Sequence, residues 1–182
     1  MTDFIFVTGN ASKAEEARRI VSPSLRVESI DLPEIQSLDP HEVVRAKAME
    51  AWRRLERPVV VEETSLELSA LNGFPGPLVK WMLESTGADG IARCGHALGD
   101  PRALARCLVL LYDGEHEVVG EGLDPGRLVS PPRGASGFGW DFVFAPDGSD
   151  RTYAELGPRE KDERGHRGRA WRDLLAKLRA AG

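Results

Sequence analysis

Four segments carry side chains whose types and spacing could do chemistry. The first is Thr8-Gly9-Asn10-Ala11-Ser12-Lys13, where an apolar run stops, a glycine permits a tight turn and a helical pattern begins. Free backbone N–H groups and the helix dipole make such a turn an anion site. Thr8, Asn10 and Ser12 add donors and Lys13 adds a charge. An ordinary capped helix with a solvated lysine has the same sequence, and the turn lacks the longer glycine-rich stretch of a Walker P-loop. The second segment is the pair Glu62-Glu63, at the carboxyl end of a buried-strand pattern, where open α/β sheets bind ligands. A carboxylate there could hold magnesium, which takes one or two carboxylates plus phosphate oxygens and water, or could activate water. Adjacent strand residues face opposite ways, so at most one of the two is expected to point into a cleft directly. A solvated strand end is the ordinary alternative.

The third segment, Phe138-Gly139-Trp140-Asp141, sets an aromatic face beside a carboxylate. Those types stack on a nucleobase and hydrogen-bond its edge, although a core tryptophan next to a surface aspartate has the same sequence. The fourth, Lys161 to Arg169, is charge-dense, and the usual explanation of such a run is a solvated helix start. His166-Arg167, held between two glycines, could nevertheless donate hydrogen bonds to a base. His41 and His116 are expected at the surface and His96 on a helix, none with a metal-ligand partner at useful spacing.

The elements that must position these groups follow from periodicity. Phe4 to Val7 is a short apolar run typical of a buried parallel strand. Ala14, Ala17, Ile20 and Val21 fall at helical spacing and Pro23 closes that helix. Arg26 to Ile30 predicts a second strand. Asp39-Pro40-His41-Glu42 predicts a helix start with Asp39 as N-cap and Glu42 completing a capping box, and the helix runs to Leu55. Pro58 to Val61 is the next buried strand, and Leu66, Leu68 and Ala70 alternate as in a half-exposed one. After a Gly/Pro turn at 72–77, short helices are expected near 78–84 and over 87–98. Ala105 to Tyr112 and Glu117 to Glu121 flank Asp113-Gly114 as a hairpin, with a further strand at 126–129. Trp140 to Phe144 is a further apolar segment, and Trp171, Leu174, Leu175 and Leu178 give the last helix its stripe. Alternating helix and strand followed by hairpin strands predicts an α/β fold with a mixed sheet.

The whole chain, 1–182, fits one domain, and 41% hydrophobic with 29% charged residues suits a folded core under a charged surface. A net charge of −5 argues against general nucleic-acid binding, which leaves a basic footprint, but permits a small anionic ligand held by a local basic cluster. No apolar run approaches the ~20 residues of a membrane span, so no membrane partner is expected. Cys94 and Cys107 have no metal-ligand spacing and are expected as reduced, mostly buried thiols. Met1-Thr2-Asp3 lacks the basic start of a signal peptide, and a cytoplasmic location is expected.

Taken together and in order, these segments resemble the inosine triphosphate pyrophosphatase family. The resemblance is carried by Phe6 to Lys13 with Glu15-Glu16, Asp31-Leu32-Pro33-Glu34, Val61-Glu62-Glu63-Thr64, 70–77 and Lys80-Trp81. In the second half it is carried by Phe138 to Asp141, Pro146-Asp147-Gly148, Thr152 to Leu156, Glu160-Lys161 and His166-Arg167. It implies a two-lobed α/β fold, a long mixed sheet flanked by helices with the active site in the cleft between lobes, and a homodimer. The implied activity is magnesium-dependent hydrolysis of ITP, dITP or XTP to the monophosphate and pyrophosphate. Carried over by position, Thr8, Asn10, Lys13 and Lys47 meet the triphosphate and Lys80 lies near the substrate. Glu34 and Glu63 hold Mg2+, and Glu63 activates water with Lys13 assisting the chemistry. Phe138, Gly139, Trp140, Asp141, Lys161, His166 and Arg167 form the base pocket, which selects a 6-keto purine over adenine. Three positions depart from the family pattern: Glu63 stands where aspartate is usual, Gly165 where serine precedes His-Arg, and Phe142 where proline is common. Two further readings rest on them: the same chemistry on a different nucleotide, and nucleotide binding with weakened catalysis.

Overall fold

The computed structural model describes residues 3–181; Met1, Thr2 and Gly182 lie outside it, and with them most of the N-terminal stretch on which the expectation of no signal peptide rests. Strand β1 (Ile5–Val7) pairs in parallel with β2 (Val27–Glu28) through helix α1 (Ala11–Ile20) and, after helix α2 (Pro40–Leu55), with β3 (Val59–Leu68). A 3-10 turn (Ser69–Leu71) and the two-residue strand β4 (Pro75–Gly76) fold back on β3. Helix α3 (Val79–Ala97) leads into the long antiparallel pair β5 (Arg102–Tyr112) and β6 (Glu117–Leu128), and β7 (Phe144–Pro146) adds the far edge. The chain ends in α4 (Tyr153–Leu156), α5 (Pro158–Arg164) and α6 (His166–Ala180). The result is the expected mixed sheet flanked by helices, with strands in the order β2-β1-β3-β5-β6-β7 and β4 paired to β3.

The period-2 geometry of β3 sorts its residues between two layers. Val59 and Val61 pack with Val44, Ala48 and Ala51 of α2, while Val60 packs with Ala17 of α1 and Trp171 and Leu174 of α6. A third cluster, with Ile91, Phe144 and Tyr153, fills the opposite end of the sheet. Helix α6 comes unusually close to β6 because Gly120 and Gly122 face it. A Cβ at Gly122 would lie 1.9 Å from the carbonyl oxygen of His166, and one at Gly120 would lie 2.3 Å from that of Ala170. Those two glycines therefore set the height of the α6 N-terminus above the sheet.

Several expectations need correction. Beyond Val61 the chain does not become a separate half-exposed strand; β3 runs unbroken to Leu68, largely buried, and Ala70 belongs to the 3-10 turn. The polar residues 62–65 interrupt its apolar pattern, and β5 pairs along its entire length. The predicted strand at 126–129 is the end of β6. Only Val27–Glu28 of the predicted 26–30 strand forms. The two helices at 78–84 and 87–98 join as α3, broken at Gly87, whose φ of +68° favours glycine. Asp39 does cap α2, accepting from the His41 N–H at 2.8 Å, but the capping box is absent because Glu42 instead accepts the Ser37 hydroxyl at 2.6 Å. A reciprocal box forms at Thr152 and Glu155 instead.

Candidate active site

The site lies where the sheet has a gap. Strand β1 ends at Val7 opposite the start of β3, and β4 joins β3 only at Leu66, so Glu62 to Ser65 have no partner on that edge. Side chains from both faces of β3 can therefore reach the opening. A cleft of about 420 Å³ occupies it. Both Glu62 and Glu63 line this cleft, which corrects the expectation that at most one would point in.

At one end stands the turn into α1. Asn10 caps the helix by accepting from the Lys13 N–H at 3.1 Å, and the Thr8 hydroxyl accepts from the Asn10 N–H at 3.2 Å. Thr8, Asn10 and Lys13 all line the cleft, as do Lys80 and the segment bearing Glu34. Lys47, buried on α2, reaches across with its Nζ 2.5 Å from Glu63 and 2.6 Å from Glu34. Burial disfavours the Lys47 charge, yet the two carboxylates outweigh it and hold the ammonium above the ordinary lysine value. Burial likewise penalises Glu63, and here it outweighs the pull of Lys47, which is shared with Glu34, and of Lys13, with the Glu34 charge adding to it; the Glu63 carboxyl is pushed up. Glu34 is half exposed, and Lys47 with Lys80 and Lys13 pulls it down despite desolvation.

The other end is built from α6 and the loop before β7. Phe138 presents its ring to Lys161, whose Nζ stands 4.7 Å from the centroid, and to the Arg167 guanidinium at 5.6 Å. Trp140 is buried instead, packed against Phe144, Tyr153 and His166. Phe138, not Trp140, is thus the open ring. Gly139 between them has φ +62°, a turn conformation that side chains resist. Asp141 accepts from the Phe138 N–H at 2.9 Å and from Lys161 at 2.6 Å. Burial raises the Asp141 pKa against the pull of Lys161.

The charge-dense run before α6 is not a solvated helix start. Lys161, His166 and Arg167 are all buried. Arg167 donates to both oxygens of Glu62, at 2.8 to 3.0 Å, and to Glu16. Lys161 bridges Glu16 at 2.8 Å and Asp141, and lies behind the cleft wall, lining a smaller neighbouring cavity. Glu62 also meets Lys13 at 3.3 Å. Burial opposes its charge, but Arg167 and Lys13 override it and hold Glu62 well below the usual carboxylate range. Glu16 is drawn down in the same way by Arg167 and Lys161. Glu16 had no role assigned from sequence, and Glu62 was expected, with Glu63, as a carboxylate for a metal or a water rather than as the anion of an ion-pair network. The signal for Glu16 was its position on the apolar face of α1, beside Ala17 and Ile20, where a carboxylate needs a partner.

Among the described residues no three His, Cys, Asp or Glu side chains form a cation cage. Two carboxylates do converge, Glu34 and Glu63, with the Lys47 ammonium as the cation between them. The cleft lining carries four cationic side chains (Lys13, Lys47, Lys80, Arg167) and five carboxylates (Asp31, Glu34, Glu62, Glu63, Asp141). No helix among the described residues is long and apolar enough to cross a membrane.

Solved structures place this architecture. The Ham1 protein of Staphylococcus aureus superposes with a TM-score of 0.81 at 25% identity, covering 98% of this chain and 100% of that one. The HAM1 protein of Coxiella burnetii gives 0.83 at 25% identity, covering 99% and 100%. A nucleoside-triphosphatase described as a dITP/XTP pyrophosphatase, from Mycobacterium abscessus, gives 0.68 at 31% identity, covering 96% and 98%. The class so defined is a nucleotide pyrophosphatase, a hydrolase of phosphoanhydride bonds. The chain belongs to the Ham1 family, whose family model matches residues 4–177.

Proposed function

We propose that the protein hydrolyses deaminated purine nucleoside triphosphates (ITP, dITP and XTP) between the α and β phosphates, releasing the monophosphate and pyrophosphate with magnesium as cofactor. One observation carries the reading: a single cleft joins a phosphate-type grip to a base-type pocket. The grip is the α1 N-terminus with Lys13, Lys47 and Lys80; the pocket is Phe138 with Asp141, His166 and Arg167. The named solved relative is a dITP/XTP pyrophosphatase, which supports the substrate class.

The donor set fits magnesium. The ion needs one or two carboxylates and completes its shell with phosphate oxygens and water, and Glu34 and Glu63 already converge on a cation, the Lys47 ammonium. With five carboxylates against four cationic groups in the lining, a triphosphate needs further positive charge to enter. Bound there, the ion would neutralise charge on the phosphoryl oxygens.

The chain's own groups supply the rest. The α1 N–H groups, Thr8 and Asn10 orient the triphosphate, while Lys13 and Lys80 offset charge on the departing pyrophosphate. Glu63, raised in pKa and poised beside Lys47, accepts the proton of the attacking water. Phe138 stacks on the base, and Asp141, His166 and Arg167 set its polar edge, with Lys161 behind the wall holding Asp141 in place.

A nucleotide panel with magnesium, followed for pyrophosphate and for orthophosphate, tests this. Pyrophosphate release from ITP far above that from ATP is expected. Turnover of another nucleotide in preference, or orthophosphate as first product, overturns it. We further place the protein in the cytoplasm, where Cys94 and Cys107, both free, stay reduced. We also propose a homodimer, supported by Leu38, Phe74 and Trp81, large apolar side chains left exposed; light scattering giving a monomer mass would refute it.

A further inference from the structure

The hydrogen bonds behind the base pocket contain a chain that neither the proposed reaction nor the resemblance uses. Tyr153 Oη donates to Asp124 Oδ2 at 2.5 Å, deep in the protein. Burial and the Asp124 charge hold the phenol well above its ordinary pKa, so Tyr153 keeps its proton and spends it on that bond. Burial raises the Asp124 pKa, while the bond from Tyr153 and the Arg169 guanidinium 3.3 Å away pull the other way and favour the ionised acceptor.

A phenol oxygen whose one proton is committed can only accept. Two groups of His166 approach it: the backbone N–H at 3.4 Å and ring Nδ1 at 3.3 Å. Nδ1 must then carry a proton. The imidazole is neutral, because full burial and the neighbouring Arg167 and Lys161 depress its pKa far below the ordinary value. A neutral ring has one proton, which leaves Nε2 bare. Nε2 is buried and has no hydrogen-bond partner among the described residues, while His166 lines the cleft. An orphaned buried acceptor is destabilising, and a ligand that supplies a donor relieves it.

Gly165 makes room for this arrangement. A Cβ there would lie 2.7 Å from the Lys161 carbonyl oxygen and 3.4 Å from Tyr153 Oη, so any side chain would press on the backbone of α5 and crowd the hydroxyl.

We propose that Tyr153, anchored by Asp124, is a positioning residue that holds His166 as the Nδ1–H tautomer, so that the bare Nε2 selects a purine protonated at ring N1. This rests on the base-pocket reading above. Hypoxanthine and xanthine present N1–H; adenine has a bare N1, which would set lone pair against lone pair. The mismatch is worse than a missing contact because it leaves two desolvated acceptors unpaired.

The two halves are tested separately. Long-range proton–nitrogen correlation spectra of the 15N-labelled protein report the His166 tautomer without nucleotide; Nδ1–H is expected, and an Nε2–H ring overturns the proposal even if ITP is turned over. Kinetics with ITP and its 1-methyl analogue test the acceptor: wild type should favour ITP by about tenfold or more in kcat/KM, one hydrogen bond's worth. Equal use of the two overturns the selection step, whereas no use of either, with the tautomer as expected, faults the substrate reading instead. Tyr153→Phe keeps the ring and removes the oxygen. It should mix the tautomers and shrink the ITP preference over both the analogue and ATP by about tenfold, mainly through KM. An unchanged tautomer and unchanged preference in that variant overturn the role of Tyr153. Should it fail to fold, the wild-type spectrum and the analogue pair still decide.

Discussion

Glu62 and Glu63 are consecutive on one strand, and both are nearly sealed, with side chains 1% and 7% exposed. Burial alone would push both pKa values up. Glu62 faces the α6 side and meets Arg167 through both oxygens, Lys13, and the Thr64 hydroxyl; it is driven down. Glu63 faces the α2 side, shares one lysine with Glu34, and is driven up. Neighbouring carboxylates whose environments push their pKa values apart mark a division of labour. Glu62 is a permanent anion that organises cations, tying α6 to α1. Glu63 is the group whose proton affinity is set for exchange.

Substituting each glutamate in turn is the strongest attempt to break that division. Glu63→Gln should lower kcat on ITP by about 10²- to 10⁴-fold, the range for loss of a general base, and leave thermal unfolding within a few degrees of wild type. Glu62→Gln should do the reverse in kind. It leaves Arg167 with Glu16 alone and Lys13 without its anion, and breaking a buried pair costs about 3–5 kcal/mol. A Tm drop on the order of 10 °C follows for a chain of this size, measurable by calorimetry. If Glu63→Gln unfolds the protein and Glu62→Gln merely slows it, the division is inverted.

The same pair shows what the sequence carried. The strand, the turn at Thr8 and the α6 stripe were legible because apolar period and cap residues are local signals. The length of β3 was not, since Glu62, Glu63 and Thr64 look like a strand's solvated end until their partners are known. Those partners are distant: Arg167 lies 105 positions from Glu62 and 151 from Glu16. A charge run that reads as solvated in one dimension is a buried ion-pair network in three. Resemblance supplied His166 and Arg167 and included Tyr153 without a role, but nothing pointed to its bond with Asp124, because a 29-residue separation leaves no periodic trace.

A smaller change asks whether the site is fitted to glutamate. Glu63→Asp withdraws the carboxylate by about 1.5 Å, and a displacement near 1 Å costs up to about 10²-fold in rate. Because the glutamate already reaches Lys47 at 2.5 Å, shortening it should slow pyrophosphate release by about tenfold or more. A faster aspartate variant would mean that the longer side chain impairs this enzyme.

The subtlest test is the pH profile. Glu63 works ionised, so kcat/KM, which reports the free enzyme before the magnesium nucleotide binds, is lost as pH falls through its pKa, and that acid limb should lie above the ordinary carboxylate value of 4.5. Glu62 stays charged well below that value and adds no limb there. The sign of the Lys47 contribution is fixed: its ammonium favours the Glu63 carboxylate and works against desolvation. Lys47→Met therefore removes a downward pull, and the limb should move to higher pH while overall rates fall. A limb that stays put in Lys47→Met but moves in Glu62→Gln would transfer the proton-accepting role across the strand to the other glutamate.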